Sequence, residues 1–272
     1  MWFDMDGFCR PKIVCPACQT GRLEMSDVSR TICTGCSANY PLKHGMIDLL
    51  PESGSKRTLS QVFLEWEPFI LIYEGRFWRK SPLLKGLLGI SFERETEVIR
   101  QAIELKGDET LLDLACGPGI HTRSFAHRLT HGSVVGLDLS LPMLNYARKQ
   151  IQREGIDNAF LIHQDASQLP FAENEFDAVN CCGAIHLFPD LAGTLREIKR
   201  VLKPGGRFIT FTFRKQTGKF KLLLASLCRR LTGINSFTPD ELALHLKNAG
   251  LKGIECHHAR GIGLLMSALK PV

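Results

Sequence analysis

Leu111-Leu112-Asp113-Leu114-Ala115-Cys116-Gly117-Pro118-Gly119 is the stretch on which the fold turns. An apolar run carrying an acid near its end breaks into a glycine-rich loop, and a helical pattern resumes at Ile120. Gly117 and Gly119 let the backbone come close to a ligand, as the glycines of dinucleotide sites do. About twenty residues further on, a second apolar run, Ser133 to Asp138, ends on an acid placed to accept the hydroxyls of a ribose. The two features together carry more than either alone.

The same alternation runs outward from the loop. Apolar strands are expected at 110–115, 133–138, 159–163, 176–181 and 207–213, with helices from Ile120, over 141–154 and over 191–202, the last ended by Lys203-Pro204-Gly205-Gly206. Strands alternating with helices call for a doubly wound, mostly parallel sheet. Two more strands, 253–257 and 263–269, bring the expectation to seven, in a Rossmann-like α/β fold. Thr238-Pro239-Asp240-Glu241 opens a helix with a capping box. Before the sheet, 59–80 reads as an aromatic-rich helix, and Phe92, Val98, Ile99, Ala102 and Ile103 mark one face of another.

The N-terminal part is different in kind. Cys15-Pro16-Ala17-Cys18 and Cys33-Thr34-Gly35-Cys36 are two CxxC turns with 14 residues between them. Each presents two thiolates to one tetrahedral ion, a spacing close to that of a zinc ribbon. With Cys15, Cys18, Cys33 and Cys36 all bound, no position is left for water, so the zinc is expected to be structural and to hold together a segment too small for a core of its own. On this reading residues 1–50 form the ribbon and 51–58, PESGSKRT, a linker. Residues 59–272 form the catalytic domain, with N-terminal helices over 59–106 and a lid or insert over 214–250. The ribbon is expected to unfold on Cys33→Ser while the sheet persists.

Composition narrows the class. The chain has 272 residues, 44% hydrophobic and 23% charged, ordinary for a globular protein. Its apolar stretches, such as Leu222 to Leu227, stop short of the roughly 20 residues of a membrane span, and Met1 to Lys12 lacks the pattern of a secretory signal. A cytoplasmic location with reduced thiols is expected. The formal net charge of +6 comes without a dense basic block, so RNA is a secondary expectation as partner.

The loop runs GPG without the third glycine of GxGxxG, which favours S-adenosylmethionine (SAM) over a nicotinamide dinucleotide. DLACGPG (113–119), GLDLSLPML (136–144), QDASQLPFAENEFDAV (164–179) and REIKRVLKPGGRF (196–208) resemble successive motifs of the class I SAM-dependent methyltransferases, a resemblance covering Glu93 to Gly206. It implies that Asp113, Ala115, Gly117 and Gly119 line the methionine end of the cofactor and Asp138 the ribose. Leu139 and Met143 would flank adenine, and Asp165 would face its amino group beside the backbone amide of Ala166. An acid such as Asp165 also commonly caps the next helix.

The fourth sheet strand would deliver Cys182 and His186 to the methyl side, with His186 as candidate catalytic base or as a packing residue. Asn180-Cys181-Cys182-Gly183 lacks the Asn/Asp-Pro-Pro-aromatic pattern of amino-group methylases and the Pro-Cys of cytosine-C5 enzymes. CTGCSANYPLKHGMIDLLP (33–51) resembles the ribbon of tRNA-methyltransferase activator-like proteins. Together with YEGRFWR (73–79) and GAIHLFPD (183–190), it is similar to a group of plastid, cyanobacterial and bacterial methyltransferases. In that group Tyr73 and Arg76 would close over the cofactor; otherwise they are a core aromatic and a surface cation. The basic amphipathic stretch Lys219 to Leu231 reads as a lid over the acceptor or as a helix packed on the core.

These readings lead to methyl transfer to a small, apolar acceptor. Two alternatives stand beside it. One is an rRNA guanine methyltransferase, although those ribbons carry His where this chain has Cys36. The other is a non-catalytic SAM-fold protein that docks a partner through its ribbon.

Overall fold

In the computed structural model, the residues described are 11–27, 29–50, 81–216 and 233–272. The helix expected over 59–80, the linker at 51–58, Tyr73, Arg76 and the Lys219 to Leu231 stretch lie outside them.

The ribbon supplies β1 (Leu23–Asp27), β2 (Arg30–Cys33), β3 (Asn39–Lys43) and β4 (Met46–Asp48), each antiparallel to the next. Two capped helices follow. In α1 (Pro82–Leu88) Ser81 accepts from the Leu84 N–H, and in α2 (Phe92–Ile103) Ser91 accepts from the Arg94 N–H. Val98, Ile99 and Ile103 bury the inner face of α2, as their spacing predicts.

The sheet proper alternates β5 (Thr110–Leu114), α3 (Ile120–Ala126), β6 (Ser133–Asp138), α4 (Leu141–Arg153), β7 (Ala159–His163), β8 (Phe176–Cys182), α5 (Leu191–Val201) and β9 (Leu202–Phe213). It closes with α6 (Pro239–Asn248), β10 (Lys252–Arg260) and β11 (Gly263–Leu269). The strand order is β7-β6-β5-β8-β9-β11-β10, parallel through β9, with β11 antiparallel between β9 and β10. This is the seven-stranded, class I methyltransferase arrangement. β5 is buried along its whole length, as a central strand covered on both faces must be. The expected capping box on α6 is present, with Thr238 and Glu241 bonding reciprocally.

Two features differ from expectation. α5 passes directly into β9, so Lys203-Pro204-Gly205-Gly206 lies inside a strand rather than in a turn. The register shifts between Phe176 and Ala178 opposite this segment. A Cβ on Gly206 would lie 2.8 Å from the Lys203 carbonyl, so only glycine fits the bend.

The second difference is larger. β4 pairs in parallel with β7, Ile47 opposite Ile162 and Asp48 opposite His163, so the ribbon extends the sheet to eleven strands. Ile13, Cys15, Cys33 and Ile47 share one hydrophobic core with Ile162, Phe171 and Phe176. The Val14 N–H donates to the Pro170 carbonyl at 2.9 Å. The ribbon is therefore packed on the sheet and does not hang from it.

Candidate cofactor and metal sites

The loop after β5 is shaped by Ala115, Gly117 and Gly119, at φ of 54°, 54° and 76°. Ala115 is the costly member, because a residue with a Cβ resists the left-handed region. Asp113 secures the turn from beneath: buried, it accepts 2.5 Å and 2.7 Å hydrogen bonds from Thr122 Oγ1 and Asn180 Nδ2. Burial raises its pKa.

Asp138 joins the loop to the end of β6. Its Oδ2 accepts from the Gly117 N–H at 2.7 Å and its Oδ1 from the Ser140 N–H at 2.8 Å. A carboxylate has about four lone-pair sites, so acceptor capacity remains on both oxygens. Burial pushes its pKa up to about 6.

These residues open onto a cavity of about 420 Å³ at the carboxyl ends of the parallel strands, within the range of small-molecule sites and at the position such sheets use for ligands. Ala115, Gly117, Asp138, Leu139, Met143, Asp165, Ala166 and Cys182 line it, bringing together eight of the anticipated residues. Asp165 also turns its own loop, its Oδ1 accepting from the Ser167 N–H at 2.7 Å.

Among the described residues, three of those anticipated are not in the lining. Asp113 acts from behind the loop. Gly119 serves helix packing, since a Cβ there would lie 2.9 Å from the Ala147 Cβ on α4. His186 is turned into the core, its ring centroid 4.4 Å from that of Phe213 and its Nδ1 3.3 Å from Thr212 Oγ1. Burial pushes its pKa down to about 4, so it is neutral at physiological pH and walled from the cavity it was expected to serve. Its neighbours Ala184 and Leu187 line the cavity instead.

Sequence reasoning missed Gln164 and His121, both in the lining. Glu95 stands behind His121, and its signal was available: an acid on the apolar face formed by Val98, Ile99 and Ile103.

At the other end of the molecule, the Sγ atoms of Cys15, Cys18, Cys33 and Cys36 all lie within 4.8 Å of one another. Cys15 to Cys36 is 3.7 Å and Cys18 to Cys33 is 3.6 Å, near the edge of about 3.8 Å that a tetrahedron with ~2.3 Å metal–sulfur bonds requires. Backbone amides point at sulfur, Gly21 at Cys18 (3.3 Å) and Gly35 at Cys33 (3.2 Å). Backbone hydrogen bonds from Thr20 and Gly21 push the Cys18 thiol down to about 5, favouring the thiolate that binds metal. A Cβ on Gly21 would stand 2.3 Å from Cys33 Sγ, so the close approach of the two turns needs glycine there. The four thiols can hold one metal ion.

The family model "Methyltransferase domain" matches residues 112–210. An uncharacterized chloroplastic methyltransferase of Arabidopsis thaliana is 28% identical over 219 residues, 74% of this chain and 61% of the relative. The demethylmenaquinone methyltransferase of Lactiplantibacillus plantarum is 41% identical over 109 residues, 39% of this chain and 46% of the relative. The chain thus spans about three fifths and about half of the lengths of these two relatives. Among solved structures, phosphoethanolamine N-methyltransferase 2 of Haemonchus contortus in complex with S-adenosyl-L-methionine superposes with a TM-score of 0.63 at 16% identity, covering 86% of this chain and 62% of that one. That likeness concerns the fold.

Proposed function

We propose, for a chain that belongs to the class I SAM-dependent methyltransferase family, that it moves a methyl group from SAM to a small, apolar acceptor. The observation that carries this is the pairing of Asp138 with the Gly117 amide at the mouth of the cavity. It sets a carboxylate for the ribose hydroxyls beside a loop whose backbone leaves room for the cofactor. In this reading Leu139 and Met143 sandwich adenine, Asp165 and Ala166 meet its edge, and Ala115, Gly117 and Cys182 border the methionine end. Gly119 and Asp113 hold the loop in shape.

The transfer is an in-line displacement. SAM, when bound, would supply a methyl group on a sulfonium, and an electron pair of the acceptor would take that methyl while the sulfur leaves as a neutral thioether. The acceptor's proton leaves to a base or to water. The protein's contribution is chiefly positioning. An apolar acceptor fits Leu187, Phe188 and Pro189 on the cavity wall, and the demethylmenaquinone methyltransferases among the relatives point to a ring compound of that polarity.

The ribbon's four thiolates suit zinc, which would be structural because sulfur fills every position. Reduced cysteines of this kind suit the cytoplasm, and equally a reducing organelle interior like that of the chloroplastic relatives. Among the described residues, no helix is long and apolar enough to cross a membrane.

The test is calorimetric titration with SAM, followed by incubation with methyl-labelled SAM and either apolar ring compounds or RNA. One-to-one binding and label extractable into organic solvent are expected. Absence of SAM binding overturns the reading, and label appearing only in RNA replaces the acceptor class.

A further inference from the structure

The loop from β7 to β8 supplies one wall of the cavity, with Gln164, Asp165, Ala166 and Ser167 in its lining. The ribbon holds this loop at both ends. Where the loop leaves β7, the Leu49 N–H, just past β4, donates to the His163 carbonyl at 3.0 Å. Where it turns back toward β8, the Val14 N–H donates to the Pro170 carbonyl at 2.9 Å and the Ala172 N–H to the Lys12 carbonyl at 3.2 Å, with Ile13 bridged to Phe171 between them. The ring of His163 carries the first grip to a second wall. Its Nδ1 faces Asp48 Oδ1 and its Nε2 the carbonyl of Leu139, which lines the cavity.

Other elements share the hold unevenly. Arg200 on α5 donates to the Phe171 and Leu169 carbonyls at 2.7 Å and 3.0 Å, and Glu197 accepts from the Leu169 N–H at 2.9 Å. These contacts all fall at the far end of the loop. At the near end β6 holds one side, the Gln164 N–H donating to the Asp138 carbonyl at 3.0 Å, and the ribbon holds the other.

A loop that is loose before a ligand arrives must be ordered as it binds, and that ordering lowers the affinity. Tied at both ends, it is ordered in advance. The ribbon that ties it is too small to build a core of its own. Val14 directly precedes Cys15, and the four thiols that can hold a metal ion join the two turns of the ribbon. Where Val14 and Leu49 stand therefore depends on that metal.

We propose that Val14, Asp48 and Leu49 are positioning residues for the cofactor, so that metal binding at the four thiols and SAM binding in the cavity strengthen each other. The proposal depends on the cofactor reading above, in which Leu139, Asp165 and Ala166 receive the adenine. Among the described residues none of the ribbon's lines the cavity, so the effect passes through the loop backbone and the His163 ring.

The experiment is calorimetric titration of the full chain with S-adenosylhomocysteine, zinc-loaded and after chelation. The zinc-loaded protein is expected to bind about tenfold more tightly, an ordinary size for coupling between two sites. Saturating S-adenosylhomocysteine should raise the affinity for zinc, measured by equilibrium competition with a chelator, by the same factor. Asp48→Ala should shrink both factors. A second readout needs only the zinc-loaded wild type, and decides the matter if the metal-free chain unfolds. There S-adenosylhomocysteine should slow amide exchange at Val14 and Leu49 several-fold more than at Thr34, a ribbon amide whose acceptor, Arg22, lies within the ribbon. Affinities within twofold of each other with and without zinc, factors undiminished in Asp48→Ala, or exchange slowed equally at all three amides overturn the proposal and leave the cofactor reading intact. Failure of S-adenosylhomocysteine to bind the zinc-loaded wild type overturns both.

Discussion

Asp48, on the last strand of the ribbon, and His163, at the end of β7, form a 2.8 Å ion pair between Oδ1 and Nδ1, and His163 Nε2 meets the Leu139 carbonyl at 3.0 Å. Both ring nitrogens face oxygen atoms, so the imidazole is held between the ribbon and the loop after β6. Lys43 closes the other oxygen of Asp48 at 2.8 Å. The chain Lys43, Asp48, His163, Leu139 runs from the ribbon to the wall of the cofactor cavity.

Asp48→Asn is accordingly expected to destabilise the protein by about 3 kcal/mol, the low end of the cost of removing one partner from a buried pair. Burial raises the pKa of Asp48, but Lys43 and His163 outweigh it and hold the carboxyl below its usual range. A depressed carboxylate contributes stability above its unfolded pKa and loses it as pH falls through the folded one. The gap between wild type and variant in urea unfolding should therefore be full at pH 7 and close below about pH 4. A gap independent of pH would show that the carboxylate's charge is not what stabilises.

Asp138 has the opposite sign. Burial lifts its pKa to about 6, so ionisation is disfavoured in the fold and the ligand-free chain should lose stability as pH rises from about 4 to 6. SAM binding needs the ionised form to accept two hydroxyls, so affinity should fall as pH drops through 6. Asp138→Ala is expected to weaken SAM by about 1.5 to 3 kcal/mol at neutral pH and to flatten that pH dependence. Calorimetric titration at pH 5 and 7 on both proteins checks this.

His186→Leu should leave SAM affinity within about twofold, because the ring packs on Phe213 away from the cavity. The wild-type histidine, its pKa pushed down to about 4 by burial, supports the fold above its unfolded pKa of about 6.5 and ceases to as pH falls toward 4. Melting temperatures across that window should drop less steeply in the variant. A tenfold loss of SAM affinity would return His186 to the site.

The two loop glycines separate packing from ligand approach. Gly119→Ala sets a Cβ against Ala147 at 2.9 Å and at a φ of 76°, and should lower stability by about 1 to 3 kcal/mol. At Gly117 the nearest side-chain atom to such a Cβ is Met143 Sδ at 4.0 Å. Gly117→Ala should therefore strain the fold less and impair SAM titration more. Equal effects of the two on melting and binding would deny the division.

One zinc per chain is expected in freshly purified, reduced protein, and Cys33→Ser should lose it. Because Cys15 and Cys33 share a core with Ile162 and Phe171, the damage should reach β7. Faster amide exchange over Ala159 to His163 in the variant would show this, and exchange confined to residues 11–50 would restore an independent ribbon.

The strand and helix alternation, the GPG loop and the CxxC pairs were legible because each is a local pattern with a local physical cause. The pairing of β4 with β7 was not, since Ile47 and Ile162 are far apart in sequence and either segment reads the same without the other. His186 carried two readings, base or packing residue, for a related reason: its position after β8 is readable, but the direction of a side chain at a short 3-10 turn depends on whether Thr212 and Phe213 are there to receive it. Glu95 was legible in principle, as a charge on an apolar stripe, and carried meaning only once His121 stood opposite.

The docking of β4 also bears on how the protein behaves in a crowded solution. Bare of β4, β7 would be an outermost strand whose Phe160 and Ile162 belong to the core and whose backbone N–H and C=O groups would face outward without partners, the template on which chains recruit one another and aggregate. The ribbon covers that run with the short β4 and carries the edge out through β3 and β2 to β1, where Glu24 and Asp27 add charge. If the four thiols hold the expected zinc, that metal, remote from the cavity, guards the solubility of the molecule, and chelation would be felt first as self-association.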